Sequence, residues 1–247
     1  MANVPAKKKP TSGQLITSDF TQELEDLRTR FSAPTGNRIK VQASKTFKLP
    51  DGAESNLITG IIVDFVYYNA YYESAFDPND RTPPSCFALA PTEDELIPSE
   101  NSPEVQSTGG CKGCAQNQYG TAGKGKACRN SVLIALLPTD ATDETPLWLI
   151  NVSPTGISQF SSYGSSVANG LKRPLYAVST DIGFNAQKTF ASLIFGNPVP
   201  LEEGAWQMAK SRKEEARRLL LTEPDVTAIV AANDKKLQAP KKRAAGR

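Results

Sequence analysis

Leu57-Ile58-Thr59-Gly60-Ile61-Ile62-Val63-Asp64-Phe65-Val66-Tyr67-Tyr68 is the strongest strand signal in the chain. A period of two puts Ile61, Val63, Phe65 and Tyr67 on one face and Ile62, Asp64, Val66 and Tyr68 on the other. Tyr67, Tyr68, Tyr71 and Tyr72 form one cluster, and a spacing of four places Tyr68 and Tyr72 on the same side. Such tyrosines serve either as half-buried packing residues of a sheet or as rings on which bases stack. Asp64 weighs against the second use, because a carboxylate repels phosphates.

Upstream, Arg38 to Leu49 alternates, with Ile39, Val41 and Ala43 on one side and Arg38, Lys40 and Gln42 on the other. That pattern predicts a half-buried strand with a basic outer face, ending at the turn Pro50-Asp51-Gly52. Before it, residues 1–35 read as a basic arm and a short helix. The helix is capped at Thr17 or Ser18, with Phe20, Leu24, Leu27 and Phe31 on one face. Downstream, residues 76–108 are rich in proline and acid and read as loop, with a short strand at Cys86 to Ala90. Ser131 to Leu137 and Pro146 to Val152 are apolar strands. Pro154 opens a helix whose buried side is Ile157, Phe160, Gly164 and Val167. Pro174 to Phe184 and Lys188 to Gly196 form a hairpin near Asn185-Ala186-Gln187. Leu201 to Leu221 is a helix, Glu223 to Leu237 a further one, and residues 239–247 a basic tail.

All four cysteines lie between Cys86 and Cys128, and the chain has no histidine. Cys111-Lys112-Gly113-Cys114 is a CxxC knuckle, Cys86 precedes it, and Cys128 closes the set. Four thiolates fill a tetrahedral zinc shell without help, leaving no open position for a catalytic water. A redox CxxC is disfavoured because no βαβ pattern accompanies it. A disulfide framework is disfavoured because four cysteines in 247 residues is sparse for a secreted scaffold. Unrelated free thiols tend to sit in apolar runs, whereas these are flanked by Ser85, Gly110 and Lys112. A structural zinc site is worth about 10–16 kcal/mol in isolated zinc-finger peptides, enough to fold a glycine-rich loop with little core of its own.

The net charge of +2 hides strong local asymmetry. Residues 51–108 hold eleven acids and one arginine, whereas residues 109–130 hold Lys112, Lys124, Lys126 and Arg129 with no acid. Neighbours within about a Debye length set a surface field, so the clusters matter more than the total. A hydrophobic content of 39% is that of a globular protein, and no run approaches the ~20 apolar residues of a membrane span. The start of the chain does not read as a signal peptide, which predicts a cytoplasmic protein.

Catalysis finds no support. Without histidine there is no Ser/His or Cys/His pair. Neither a P-loop nor a dinucleotide fingerprint is present. Gly123-Lys124-Gly125-Lys126 has the wrong glycine spacing for a phosphate loop. The carboxylates between 93 and 104 lie in a loop with no visible partner. The chain therefore reads as a non-enzyme.

Several of these elements together carry a resemblance. They are the Tyr-rich strand end, Pro83-Pro84-Ser85-Cys86, Cys111-x-x-Cys114-x-x-Asn117-x-x-Gly120, and Gly125-Lys126-Ala127-Cys128-Arg129, followed by the strand leading into Ser153-Pro154-Thr155. In these the chain resembles the zinc-containing single-stranded DNA-binding proteins of tailed bacteriophages, over roughly residues 36–197. The resemblance implies an oligonucleotide-binding (OB) barrel and one structural Zn²⁺ held by Cys86, Cys111, Cys114 and Cys128. It further implies a role coating unpaired strands in replication, recombination and repair, in the cytoplasm of a bacterial host. Many such proteins end in an acidic tail that recruits replication partners; this chain ends in Lys241-Lys242-Arg243 and Arg247.

The expectation is a mainly β, α+β fold: an OB-like antiparallel barrel over residues 36–200 with a zinc loop at 86–130, followed by a C-terminal helix and basic tail at 201–247. Arg38, Lys40, Lys45, Lys48, Lys112, Lys124, Lys126 and Arg129 are the expected phosphate contacts. Tyr68, Tyr72, Tyr119 and Trp148 offer rings for bases, with core packing the competing use of Trp148. Replication or recombination proteins are the further partners. Two rival readings are a zinc-stapled protein–protein adaptor and an RNA-binding regulator.

Overall fold

One fourteen-residue strand, Ile58–Tyr71 (β4), organises the computed structural model, which describes residues 37–73 and 82–227. Along one edge it pairs antiparallel with Cys128–Pro138 (β6) over nearly its whole length. Its other edge is shared in tandem. Val178–Phe184 (β8) pairs with its start and Cys86–Ala90 (β5) with its end. Trp148–Val152 (β7) extends the sheet beyond β6, and Leu193–Pro200 (β9) extends it beyond β8. A second sheet consists of Lys40–Val41 (β1), Phe47–Lys48 (β2) and Glu54–Ser55 (β3). Among the described residues the α-helices are Pro154–Ser166 (α1), Glu203–Ser211 (α2) and Lys213–Leu220 (α3). The fold is thus α+β and dominated by antiparallel sheet.

The large sheet is buried on both faces, which is why β6 reads as an unbroken apolar run. On one face Ile58, Ile62, Val132, Ile134, Leu136, Ile150, Val178 and Ile182 pack under Phe160 and Tyr163 of α1, under Ile39 just before β1 and under Phe47 of β2. On the other, Ile61, Val63, Val66, Leu133, Ala135 and Leu137 pack under Ala209 of α2 and Ala216 and Leu220 of α3. The small sheet is tied in by Ile39 N–H donating to Leu149 O at 2.8 Å and by the Phe47 ring stacked on Phe184 at 4.4 Å.

Strict alternation along β4 fails at one place. Ile62 lies opposite Leu136 and Asp64 opposite Ala135, so Val63 is an extra residue, a β-bulge. The inserted residue shifts the phase, and a one-residue shift exchanges faces. Ile61 and Val63 therefore share a face with Val66 and Tyr68, while Ile62 joins Phe65 and Tyr67. This corrects the face assignment expected from period two alone.

Arg38 to Leu49 is likewise not one strand. Lys45 takes φ +59° and its amide donates to Gln42 O, closing a turn that makes β1 and β2 a hairpin. The helix expected over Leu201 to Leu221 is broken at Arg212 (φ −86°, ψ 0°), whose side chain bonds Glu215 and the carbonyls of Asp143 and Thr145. On α1 Tyr163, bonded to Thr180, joins Phe160 on the buried side, with Ile157 and Gly164 only partly covered. The Pro174 to Phe184 strand begins at Val178, after a short 3₁₀ turn. The basic arm and short helix expected over residues 1–35, residues 74–81 and the chain beyond 227 lie outside the described residues, as does most of the expected 223–237 helix.

Candidate functional site

The two strand-borne cysteines are placed by the register of one residue. Tyr71 lies opposite Cys86 of β5 on one side and Cys128 of β6 on the other. Directly opposed residues leave the same face of a sheet, so all three side chains project from one face at its end. The knuckle then folds back over them. Cys111 N–H donates to Leu96 O, and Cys114 N–H returns to Cys111 O at 3.3 Å. Asn117 Nδ2 donates to Cys111 O at 2.9 Å, and Gln118 Nε2 donates to the carbonyls of Lys112 and Cys114, each at 3.1 Å. Gly120 and Gly123 take φ +93° and +63°, values the return turns require.

All four cysteines are buried and free, and they line one small pocket with Asn69, Tyr71 and Asn117. Burial pushes the Cys128 thiol up to about 12, helped by Cys111, Cys114 and Cys86 and opposed by Lys126. Cys111 is raised for the same reason, while a hydrogen bond with Asn69 works the other way. The donors thus match a soft ion in kind and number. Among the described residues, however, no group of three or more His, Cys, Asp or Glu is arranged as a metal shell.

The expected phosphate and base contacts divide between the two faces of β4. Asn69 and Tyr71 leave the face of the cysteine pocket, and with them lies the knuckle, carrying Lys112, Tyr119 and Lys126. Tyr119 is 81% exposed, with the Lys126 ammonium 5.1 Å from its ring centre. Lys126 also donates to Asn117 Oδ1 at 3.3 Å, and Lys112 to Asp94 at 3.2 Å. Lys124 stands exposed at the tip of the Ala122–Gly125 turn. Tyr68 belongs to the opposite face, as does Arg129, which lies opposite Ala70. There the Arg129 guanidinium lies 5.4 Å from the Tyr72 ring centre. Burial raises the Tyr68 phenol far above its usual range, assisted by Tyr72, while Arg38 pulls it back. Arg38, Tyr68, Tyr72 and Arg129 therefore form a second cluster.

The remaining expected residues lie elsewhere. Lys40 and Lys48 face each other across β1 and β2, both exposed. Lys45 is engaged, donating to Lys188 O at 2.5 Å and Asn185 O at 3.4 Å. Trp148 is half-buried and packs against the core under α1.

A larger pocket of about 360 Å³ opens beside the knuckle, lined by Asn69, Glu93, Leu96, Gln118, Tyr119 and Lys126 among others. Sequence reasoning did not place Glu93, Asp94 or Gln118 in a site. They come from separate loops, and no motif joins them.

No protein-family model, curated protein or solved structure matches this chain. Among the described residues no helix is long and apolar enough to cross a membrane.

Proposed function

We propose that this protein binds single-stranded DNA, largely without regard to sequence, and coats unpaired strands during phage replication, recombination and repair. One observation carries the reading: at the same end of the sheet, on its two faces, a cation lies over a tyrosine ring, Lys126 over Tyr119 and Arg129 over Tyr72. Rings that stack bases beside cations that neutralise phosphates are the minimal equipment for sequence-tolerant strand binding. Each stacked base contributes about 1–3 kcal/mol, and each neutralised phosphate adds about −0.7 to the salt slope on single strands. In this reading Lys40 and Lys48 add backbone contacts.

The architecture is read here as a partly open OB-like barrel. Supporting it, the β1–β2 hairpin reaches from β7, through the Ile39–Leu149 bond, to the β8–β9 turn, through Lys45. Cys86, Cys111, Cys114 and Cys128 would hold one Zn²⁺, whose part is structural. It cross-links the loop that carries Lys112, Tyr119, Lys124 and Lys126.

A rival reading as a protein adaptor has its own support. Lys112 is paired with Asp94, and Glu93 stands beside them, so part of the knuckle presents mixed charge. Fluorescence anisotropy against oligo(dT), duplex DNA and RNA, over a salt series and with metal analysis of the same sample, separates the readings. Preference for oligo(dT), a negative salt slope and one zinc per chain are expected. Absence of binding at low salt sinks the DNA reading and favours the adaptor; preference for RNA favours an RNA-binding regulator.

A further inference from the structure

The pocket beside the knuckle has an unusual balance of hydrogen-bonding capacity. Its amide donors are largely spent, while the Lys112 and Lys126 ammonium groups at the rim each keep N–H to give. Asn117 Nδ2 is given to Cys111 O, Gln118 Nε2 to two carbonyls, Lys126 to Asn117 Oδ1 and Lys112 to Asp94 Oδ1. Apart from those ammonium groups what remains is accepting: the second carboxylate oxygen of Asp94, the amide oxygen of Gln118, and both carboxylate oxygens of Glu93. Among the described residues the Glu93 carboxylate makes no hydrogen bond or ion pair. One wall is the exposed Tyr119 ring and the base is Leu96, so the cavity offers a stacking face and an apolar floor with acceptors between them. Its volume of about 360 Å³ lies at the lower end of the range for small-ligand sites.

We infer that this pocket takes a single unstacked nucleobase and prefers guanine; the inference rests on the single-strand reading above. The chemistry of the bases decides the order. A pocket with an unpaired carboxylate beside its stacking ring favours a base whose edge donates. Guanine presents N1–H and N2–H₂ side by side, which a carboxylate accepts bidentately. Cytosine and adenine each offer one exocyclic amino group on the Watson–Crick edge. Thymine offers a single N3–H between two carbonyls, and those carbonyls would face carboxylate oxygens. Splayed bases stacked on an aromatic ring and read on that edge are the usual mode of single-strand recognition. Lys112 and Lys126, at the rim, supply positive charge for the flanking phosphates and offset the repulsion of Glu93 and Asp94. The resulting preference is superimposed on binding that elsewhere ignores sequence. A cationic side chain of a protein partner is the competing occupant of such an acceptor-rich cavity.

The test uses the full chain, purified without chelator, and short dT oligomers carrying one central dG, dA, dC, dI or dT. Anisotropy should show the dG oligomer binding more tightly than all-dT, on the order of tenfold, the scale of one bidentate base contact. Inosine, which lacks the N2 amino group, should lose most of that gain. Glu93→Gln should erase the dG preference while holding or tightening affinity for all-dT, because the amide no longer repels phosphate. Equal affinity for all five oligomers overturns the inference but leaves the single-strand reading intact. So does a Glu93→Gln variant that tightens every oligomer equally, which would make Glu93 a mere repeller. Failure of every oligomer to bind overturns both.

Discussion

Phe47 is the peg that holds the small sheet on the large one, and Phe47→Ala should release it. Strands of two residues have no independent stability, so β1, β2 and β3 depend on what they cover. Phe47 is fully buried, and its ring stacks on Phe184 at 4.4 Å with 28° between the planes. Removing a buried phenylalanine costs about 3–5 kcal/mol, including the cavity it leaves. Of that, about 0.5–1.5 kcal/mol belongs to the ring pair. A domain of this size loses about 2–4 °C of Tm per kcal/mol, so a fall of about 6–20 °C is expected, and the urea midpoint should drop with it. Phe47→Leu keeps most of the volume and should cost less. Under the proposed function there is a second readout. The hairpin carries Lys40 and Lys48, and loss of two phosphate contacts would flatten the salt slope by about 1.4. A stability loss below about 1 kcal/mol, or full protection of the hairpin amides in the destabilised variant, would refute the argument that one ring anchors this sheet.

Other perturbations give sharper yes-or-no outcomes. Cys111→Ser with Cys114→Ser should abolish stoichiometric zinc and speed hydrogen exchange over residues 96–127 while leaving β4 and β6 protected; a loop exchanging at the wild-type rate would show that no ion organises it. Gly60→Ala should destabilise by about 1–3 kcal/mol in a denaturant titration, because a Cβ there would sit 2.9 Å from Leu137 O, a backbone atom that cannot step aside. Lys124→Glu with Lys126→Glu should weaken oligo(dT) binding and flatten its salt dependence, and unchanged affinity and slope would remove both from the interface.

What the sequence revealed, and what it hid, follows from the range of each signal. β4, β5, β6, β7, α1 and the β8–β9 hairpin were legible because periodicity, capping and turn chemistry act over a few residues. The Val63 bulge was not, since nothing in Ile61-Ile62-Val63-Asp64 distinguishes an extra residue from a regular one. Its effect is visible only in the partner register with β6. The β1–β2 turn was missed because Lys45 adopts a left-handed φ without glycine, held by its contacts to the β8–β9 turn. The cysteines were conspicuous as a set, and the structure lines one pocket with all four. That Cys86 and Cys128 are both registered on Tyr71 could not be read from spacing. Glu93 and Gln118 went unseen as pocket residues because a carboxylate in an acidic loop looks like solvated surface until the fold sets it beside a ring.

The division of the aromatic residues between two faces has a consequence that a single groove would not. Tyr72 with Arg129 and Tyr119 with Lys126 lie on opposite sides of the sheet, so a strand that uses both must round its end past β5 and β6. A short oligomer reaches only one pair at a time. On the single-strand reading, for oligomers of only about four nucleotides, Tyr72→Ala and Tyr119→Ala should each have a modest effect, since binding shifts to the other face; the double variant should lose far more than the sum. With longer oligomers both pairs engage at once. Each substitution should then cost about 1–3 kcal/mol, and the two should add to within about 0.5 kcal/mol, as they do for distant sites without shared partners. Binding measured against oligomer length, for the two single variants and the double, reads this directly. If the variants are non-additive at every length, the two rings act as one platform and the strand does not round the sheet. If one of them is silent at every length, only one face carries DNA.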